Sequence, residues 1–185
     1  IGTDLTTLVT DETGVSLAAA TYPIAPEPAD AGSDADGLDL PGRADVVPAR
    51  APFERVARAK TAEAARKLER RIDEAATTYD AVIVDAAPVG SNEAVAGVTT
   101  ADRTAAVTPA TTHGHDALQR LRGRVADVGA SVDRSIAIVN KPDDEATESD
   151  ADVRLPRTDP EIAAAPTTAA GDGAYTRAVA AAFED

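Results

Sequence analysis

The chain has 185 residues, enough for one domain with a substantial core, and it has no cysteine, which excludes disulfides and thiolate metal sites. Its formal net charge of −14 argues against non-specific DNA binding by the whole domain, because the phosphates of DNA would be repelled. There is no signal-peptide pattern and no apolar run of about 18 residues, the length that spans a bilayer, so we expect a cytoplasmic protein.

The first half of the chain predicts few regular elements before residue 53. Residues 4–9 (DLTTLV) suit a short helix or strand, and residues 44–50 predict a short strand that Pro48 stops. Between them, residues 25–41 are rich in Pro, Asp, Gly and Ala and predict a flexible acidic surface loop. The clearest helix is predicted over residues 53–77, where small and apolar residues recur at helical spacing. They are Ala57, Thr61, Ala64, Ala65, Leu68, Ile72 and Ala75.

The second half alternates apolar runs with helical patterns. Strands are predicted at 80–84, 103–109, 134–140 and 153–156, and helices at 92–99, 115–129, 158–165 and 172–184. Residues 143–152 predict an acidic solvated loop. Because the strands are continuously apolar, both faces of their sheet should be covered. The order therefore predicts a single α/β domain over residues 1–185, with a mostly parallel sheet and helices on both faces.

In such a sheet, ligands bind beyond the carboxyl ends of the strands. The residues that follow the predicted strands are therefore the candidates for a site: Pro48, Asp85–Gly90, Thr108–Thr112, Asn140–Pro142 and Pro156–Asp159.

These positions carry a resemblance to the ParA/MinD family of deviant P-loop ATPases. In residues 79–143 an apolar run ends in Asp85, a turn holds Pro88 and Gly90, and a later strand ends in Asn140. Three dipeptides continue the pattern: Ala101-Asp102, Thr108-Pro109 and Leu155-Pro156. The segment Asp159-Pro160 and the opening DLTTLV are similar to the family as well. The order of these motifs is more specific than any one of them.

The resemblance implies a P-loop NTPase-like, three-layer fold and a function for each matching residue. Asp85 resembles the Walker B acid, the catalytic position that holds Mg²⁺ through water beside the γ-phosphate of ATP. Residues 86–90, with Pro88 and Gly90, resemble the switch that senses this phosphate. Asn140 resembles the residue that reads the adenine edge, and Leu155 and Pro156 the segment that packs against the base. The cofactors implied are ATP and Mg²⁺.

Two departures qualify the resemblance. The family's turn is Asp-x-Pro-Pro-Gly, whereas Ala87 and Val89 stand at its first Pro and its Gly here. The family also begins with a strand and a Gly-rich, lysine-bearing phosphate loop, which the 185 residues do not contain. Since the chain starts at Ile1 and has no methionine, we expect an N-terminally truncated fragment that lacks about 35–45 residues, the size of a βαβ start.

The resulting hypothesis is an ATPase domain that dimerises when ATP is bound and positions DNA or cell structures, with a protein partner regulating hydrolysis. The alternative is a pseudo-ATPase without nucleotide that serves as a protein-interaction module. Whether this chain by itself hydrolyses Mg-ATP stays open. A response-regulator receiver is a weaker third reading, because the early acid pair that it needs does not follow a strand.

Purely structural interpretations of the same residues remain open. Asp85 could cap the next helix, and Asn140 could be a turn residue before Lys141-Pro142. His113 and His115 predict the loop before a helix rather than a metal site, because residues two apart do not share a helix face.

Three further features of the sequence indicate whether the protein binds DNA or a membrane. Arg120, Arg122 and Arg124 predict a solvated helix face, with DNA binding the weaker interpretation. Tyr175, Val179 and Phe183 predict a C-terminal helix that docks on the core, so membrane attachment is not expected. The excess of Asp over Glu and of Arg over Lys resembles proteins of salt-loving archaea, in which acidity serves solubility.

Overall fold

The computed structural model describes residues 2–10, 14–24, 43–49, 57–142, 149–157 and 173–184. The predicted loop at 25–41 and the predicted helix at 158–165 lie outside these residues. No helix in the described part of the chain is long and apolar enough to cross a membrane.

The chain forms two compact units, which we describe separately. The first comprises residues up to Ile24, then Ala44–Asp102 and Val128–Ala130; the second contains Arg103–Asp127 and the residues from Ser131 onward.

In the first unit, a short helix and a two-strand ribbon occupy the beginning of the chain. Helix α1 (Leu5–Thr10) starts after Asp4, whose carboxylate accepts hydrogen bonds from the N–H and the hydroxyl of Thr7. Strand β1 (Tyr22–Pro23) pairs antiparallel with β2 (Asp45–Val46). The strand predicted over 44–50 is therefore shorter than expected and antiparallel, and it belongs to this ribbon rather than to a parallel sheet.

Besides a short 3-10 helix at Leu17–Ala20, this unit contains two longer helices. The helix predicted over 53–77 is interrupted: residues 57–59 are helical, residues 60–61 form a turn, and helix α2 (Ala62–Ala76) begins after Thr61, whose hydroxyl accepts the Ala64 N–H as its N-cap. Helix α3 (Asn92–Thr100) packs against α2, and its first side chain reaches the Lys60 carbonyl at 2.8 Å. A small apolar cluster under α1 contains Leu8, Leu17 and Ala20.

The prediction of a buried strand over residues 80–84 is wrong. Residues 81–87, which we call the open segment, have no regular secondary structure, and no backbone hydrogen bond joins them to another described residue. Ile83 is 78% exposed and Val82 38%. An apolar, β-branched run becomes a strand only where a neighbouring strand can accept its hydrogen bonds, and none of the described strands is hydrogen-bonded to it.

The second unit is built on a parallel three-strand sheet. Strands β3 (Ala105–Pro109), β4 (Arg134–Ile138) and β5 (Val153–Leu155) lie in that order, with Val107 opposite Ile136 and Ile136 opposite Val153. The three strands match the predicted ones, shortened by one to two residues at their ends. Helix α4 (Thr112–Asp127) connects β3 to β4. The final helix, α5, covers Ala174–Phe183.

The two helices cover opposite faces of this sheet. Ile136, Leu155 and Ala182 of α5 form one buried cluster. Arg122 of α4 reaches the hydroxyl of Ser135, which points to the other face because side chains alternate along a strand. The predicted α/β class, a parallel sheet with helices on both faces, is thus confirmed for this unit. Tyr175 and Val179 dock as predicted, whereas Phe183 is 60% exposed, since Ala182 takes the inward position.

Candidate functional site

The carboxyl ends of the three parallel strands meet at one edge of the sheet. The Ala110 N–H donates to the Ile138 carbonyl at 2.8 Å, and the Val139 N–H donates to the Leu155 carbonyl at 3.1 Å. Each strand therefore remains tied to its neighbour just beyond the last ladder pair. These backbone hydrogen bonds fix the positions of the strand ends. They therefore limit where the next residues of each strand can lie.

Three of the predicted site residues lie at this edge. Asn140 comes two residues after β4 and is exposed, while Leu155 is the buried last residue of β5 and Pro156 follows it half-buried. Because the N–H of Val139 is hydrogen-bonded to the carbonyl of Leu155, the three residues lie close together in space. The same strand ends therefore carry an exposed residue with a side-chain amide, which has both donor and acceptor atoms, and a half-buried proline that follows a buried leucine.

The amino-terminal end of α4 lies close to the carboxyl end of β3, and Gly114 is the residue at the point of contact. The Thr111 hydroxyl accepts the Gly114 N–H at 3.0 Å, and a Cβ on Gly114 would lie 1.8 Å from the Pro109 carbonyl oxygen. Only glycine permits this approach of helix to strand end. Gly114 was not singled out from the sequence, because the helix was predicted to begin at residue 115, whereas it begins at Thr112 and includes Gly114 in its first turn.

His113 and His115 lie inside the first turn of α4, not in a preceding loop as predicted. Nδ1 of His115 lies 3.4 Å from Oδ2 of Asp150, an exposed pair that attracts only when the imidazole is protonated. No group of three or more His, Cys, Asp or Glu that could hold a metal ion occurs among the described residues.

The other predicted site residues lie in the first unit. Asp85 is exposed near the end of the open segment and has no hydrogen bond or ion pair with another described residue. Pro88 and Gly90 are exposed on either side of Val89, which is only 5% exposed. The turn that they form leads directly into α3. The reading of Asp85 as a helix cap is wrong, because Ser91 is the N-cap residue of α3.

The structure thus groups Asn140, Leu155 and Pro156 in the second unit, and Asp85, Pro88 and Gly90 in the first. That the two groups form one site stays a prediction from the resemblance.

Sequence reasoning missed a polar cluster at the opposite, amino edge of the sheet. Ser135 is fully buried, and its hydroxyl and N–H both donate to Asp152, an exposed residue at the end of the predicted acidic loop. The Ser135 hydroxyl, then its N–H, hold the pKa of Asp152 below its usual value, and the charge of Arg122 acts in the same direction. Arg122 is therefore not part of a solvated face, unlike the exposed Arg120 and Arg124.

A second carboxylate supports the same edge. The Thr104 N–H, 2.7 Å from Oδ2 of Asp133, holds the pKa of that carboxyl below its usual value, and the Ser131 hydroxyl assists. The backbone N–H of Asp133 in turn donates to the Thr104 carbonyl. Both acids join strand starts to each other, which is a structural role.

Comparison of the chain with family models, with curated proteins and with solved structures finds no match. The arguments about function therefore rest on the residues themselves.

Proposed function

We propose that this chain is a Mg-ATP-binding domain of the ParA/MinD type, with a P-loop NTPase-like fold. One observation carries the proposal: the bond from Val139 to Leu155 sets Asn140 beside Leu155 and Pro156 at the carboxyl edge of a parallel sheet. Ligands of open α/β sheets bind at this edge. An adenine ring needs an apolar surface for its face and a paired donor and acceptor for its edge. The half-buried Pro156, backed by the buried Leu155, would supply the first, and the side-chain amide of Asn140 carries both kinds of atom for the second.

Asp85 supports the metal side of the proposal. Its carboxylate is exposed, has no bond to another described residue, and precedes the Pro88–Gly90 turn. Mg²⁺ keeps most of its water and binds proteins through one or two carboxylates together with substrate phosphates. A single acid therefore suffices, and a cluster of protein ligands is not required. Asp85 would hold the hydrated ion, and the turn would respond to the terminal phosphate.

Nucleotide binding by variants tests the adenine site. We expect Asn140→Ala to weaken ATP binding, measured by calorimetry, by about tenfold, the value of one good hydrogen bond. Gln119→Ala removes an exposed amide from α4 instead and should leave the affinity unchanged. Equal affinities of the Asn140 and Gln119 variants would contradict the adenine assignment.

The metal assignment is tested separately. We expect Asp85→Asn to abolish the dependence of ATP affinity on Mg²⁺ while leaving the affinity for adenosine intact, since adenosine carries no phosphate. An Asp85 variant that keeps its full Mg²⁺ dependence would refute this role.

The mass and N-terminal peptide of the protein isolated from its own cells come first among these measurements. A native chain that carries a Gly-rich, lysine-bearing loop has a phosphate cradle, and hydrolysis of ATP, dimerisation and a role in positioning DNA or cell structures then become testable. A native chain without such a loop leaves the pseudo-ATPase as the better proposal.

The second candidate, a protein-interaction module, is favoured by a different observation. The open segment exposes Val82 and Ile83 together with backbone groups that have no partner in the described structure. Such a segment is suited to pairing with another polypeptide.

A further inference from the structure

Within the open segment, residues 81–87, two alternate side chains contact the same neighbour. Cγ1 of Val84 lies 3.3 Å, and Cβ of Ala86 3.7 Å, from the position that a Cβ on Gly97 would take. Two residues that are two apart contact the same glycine of α3, which is the spacing of an extended chain. No described non-glycine residue has a positive φ, so the backbone conformation is an ordinary one.

Alternation then places Ile83 and Asp85 on the side away from α3. Ile83 is 78% exposed, and Asp85 is exposed as well. Backbone N–H and C=O groups of the segment have no backbone partner among the described residues. An extended, apolar segment with unpaired backbone groups is a template for the addition of a strand.

Charge restricts what can be added. Asp80 and Asp85 are both exposed at the two ends of the apolar run, neither has a bond to another described residue, and the chain carries a net charge of −14. A second copy of this chain would bring the same charge, whereas a basic strand would neutralise it. The complementary strand therefore has an apolar residue opposite Ile83 and a basic residue opposite Asp85.

We propose that the open segment binds an extended peptide of another protein by β-strand addition, and that this peptide alternates basic and apolar residues on the face beside Ile83 and Asp85. Main-chain hydrogen bonds supply affinity in this mode of recognition, and the side-chain pairs supply specificity. The inference does not depend on nucleotide binding, and its test is carried out without nucleotide.

The probe is a synthetic peptide of sequence TKVVVKT with blocked ends. Its sequence reads the same in both directions, so parallel and antiparallel addition both set Val beside Ile83 and Lys beside Asp85. The matched control, TEVVVET, has the same apolar content and opposite charge. We expect hydrogen exchange at residues 81–87 to slow with the lysine peptide and not with the glutamate peptide, at the lowest salt that preserves the folded circular dichroism spectrum.

Variants separate this mode from non-specific contact. Asp85→Lys should weaken binding of the lysine peptide by about threefold or more and transfer the preference to the glutamate peptide. Ile83→Ala should weaken binding of the lysine peptide, whereas Ile24→Ala, which removes another exposed isoleucine of the same unit, should not.

Three results would overturn the proposal. The first is protection by both peptides alike, unaffected by Asp85→Lys, which would indicate contact through apolar area alone. The second is protection of residues 81–87 that rises with protein concentration in the absence of peptide, which would make a second copy the occupant. The third is protection of residues 81–87 without peptide in the protein isolated from its own cells, independent of protein concentration, which would make another segment of the same protein the occupant.

Discussion

Oδ2 of Asp152 accepts two hydrogen bonds from Ser135, one from the backbone N–H and one from the hydroxyl, each 2.7 Å long. Asp152 directly precedes β5, so its carboxylate takes the place of a strand carbonyl where the β4–β5 ladder has not yet begun. The Asp152 N–H returns a bond to the Ser135 hydroxyl at 3.1 Å. The pair thereby sets the register in which the two strands begin.

The first prediction concerns acid stability. Because Ser135 lowers the pKa of Asp152 and Thr104 lowers that of Asp133, the folded state binds fewer protons than the unfolded chain in the acidic range. The stabilisation is fully present above the unfolded pKa of about 4 and is lost as the pH falls through the lowered folded values. Thermal unfolding at a series of pH values should show the melting temperature decreasing below about pH 4.

Asp152→Asn should reduce this pH dependence, because one of the two titrating groups is removed. Asp102→Asn is the matched control, since Asp102 is exposed and has no bond to another described residue. If both variants show the same acid profile as the parent chain, the role given to Asp152 is wrong.

The second prediction compares two glycines of α4. Gly114→Ala should destabilise the fold by about 1–3 kcal/mol, because the new Cβ would overlap the Pro109 carbonyl and force the helix away from the strand end. Gly123→Ala, at a site with no atom within 4 Å, should stabilise by about 0.5–1 kcal/mol through its better helix propensity. Urea unfolding followed by circular dichroism measures both, and destabilisation of similar size in the two variants would contradict the close approach.

The third prediction concerns the start of α1. Asp4 is 7% exposed, and Oδ1 accepts the Thr7 N–H at 2.8 Å and the Thr7 hydroxyl at 2.9 Å. Asp4→Ala should cost about 1–2 kcal/mol of unfolding free energy, the usual cost of a lost N-cap. Asp4→Asn retains an acceptor oxygen and should recover most of this loss. An Asn variant as unstable as the Ala variant would mean that the charge, and not the cap, matters.

The fourth prediction tests the docking of α5. Val179→Ala should destabilise by about 1 kcal/mol, because Val179 packs against the cluster of Ile136, Leu155 and Ala182. Phe183→Ala removes a larger side chain that is 60% exposed, and it should change stability by less than about 0.5 kcal/mol. The reverse order of the two effects would show that the helix presents its other face to the sheet.

Where apolar periodicity was the signal, prediction from the sequence succeeded. The pattern of residues 103–156 predicted three strands and α4 to within a few residues, because these strands pair with each other within one compact unit. The same reasoning failed at residues 80–84, which are equally apolar. A run of apolar residues indicates that a segment is more stable when buried, but it does not specify which other part of the structure packs against it.

The candidate site divides in the same way. Asn140 and Pro156 were predicted from their positions after strands and Leu155 from the family resemblance, and the parallel register brings the three together. The Ser135–Asp152 pair was not predictable, since its two members lie 17 residues apart and Asp152 looks like any acid of a polar loop. A hydrogen-bonded pair of polar side chains on two strands produces no periodic pattern in the sequence from which it could be predicted.

By itself, then, the sequence determined the α/β class of the second unit, the positions of its strands and helices, and the residues at their carboxyl ends, because these follow from local periodicity and chain order. The tertiary structure decided which apolar runs are paired, which acids are hydrogen-bonded, and why Gly114 must be glycine. Those properties depend on backbone and side-chain groups that are distant in the chain and come within a few ångströms of each other only when it folds.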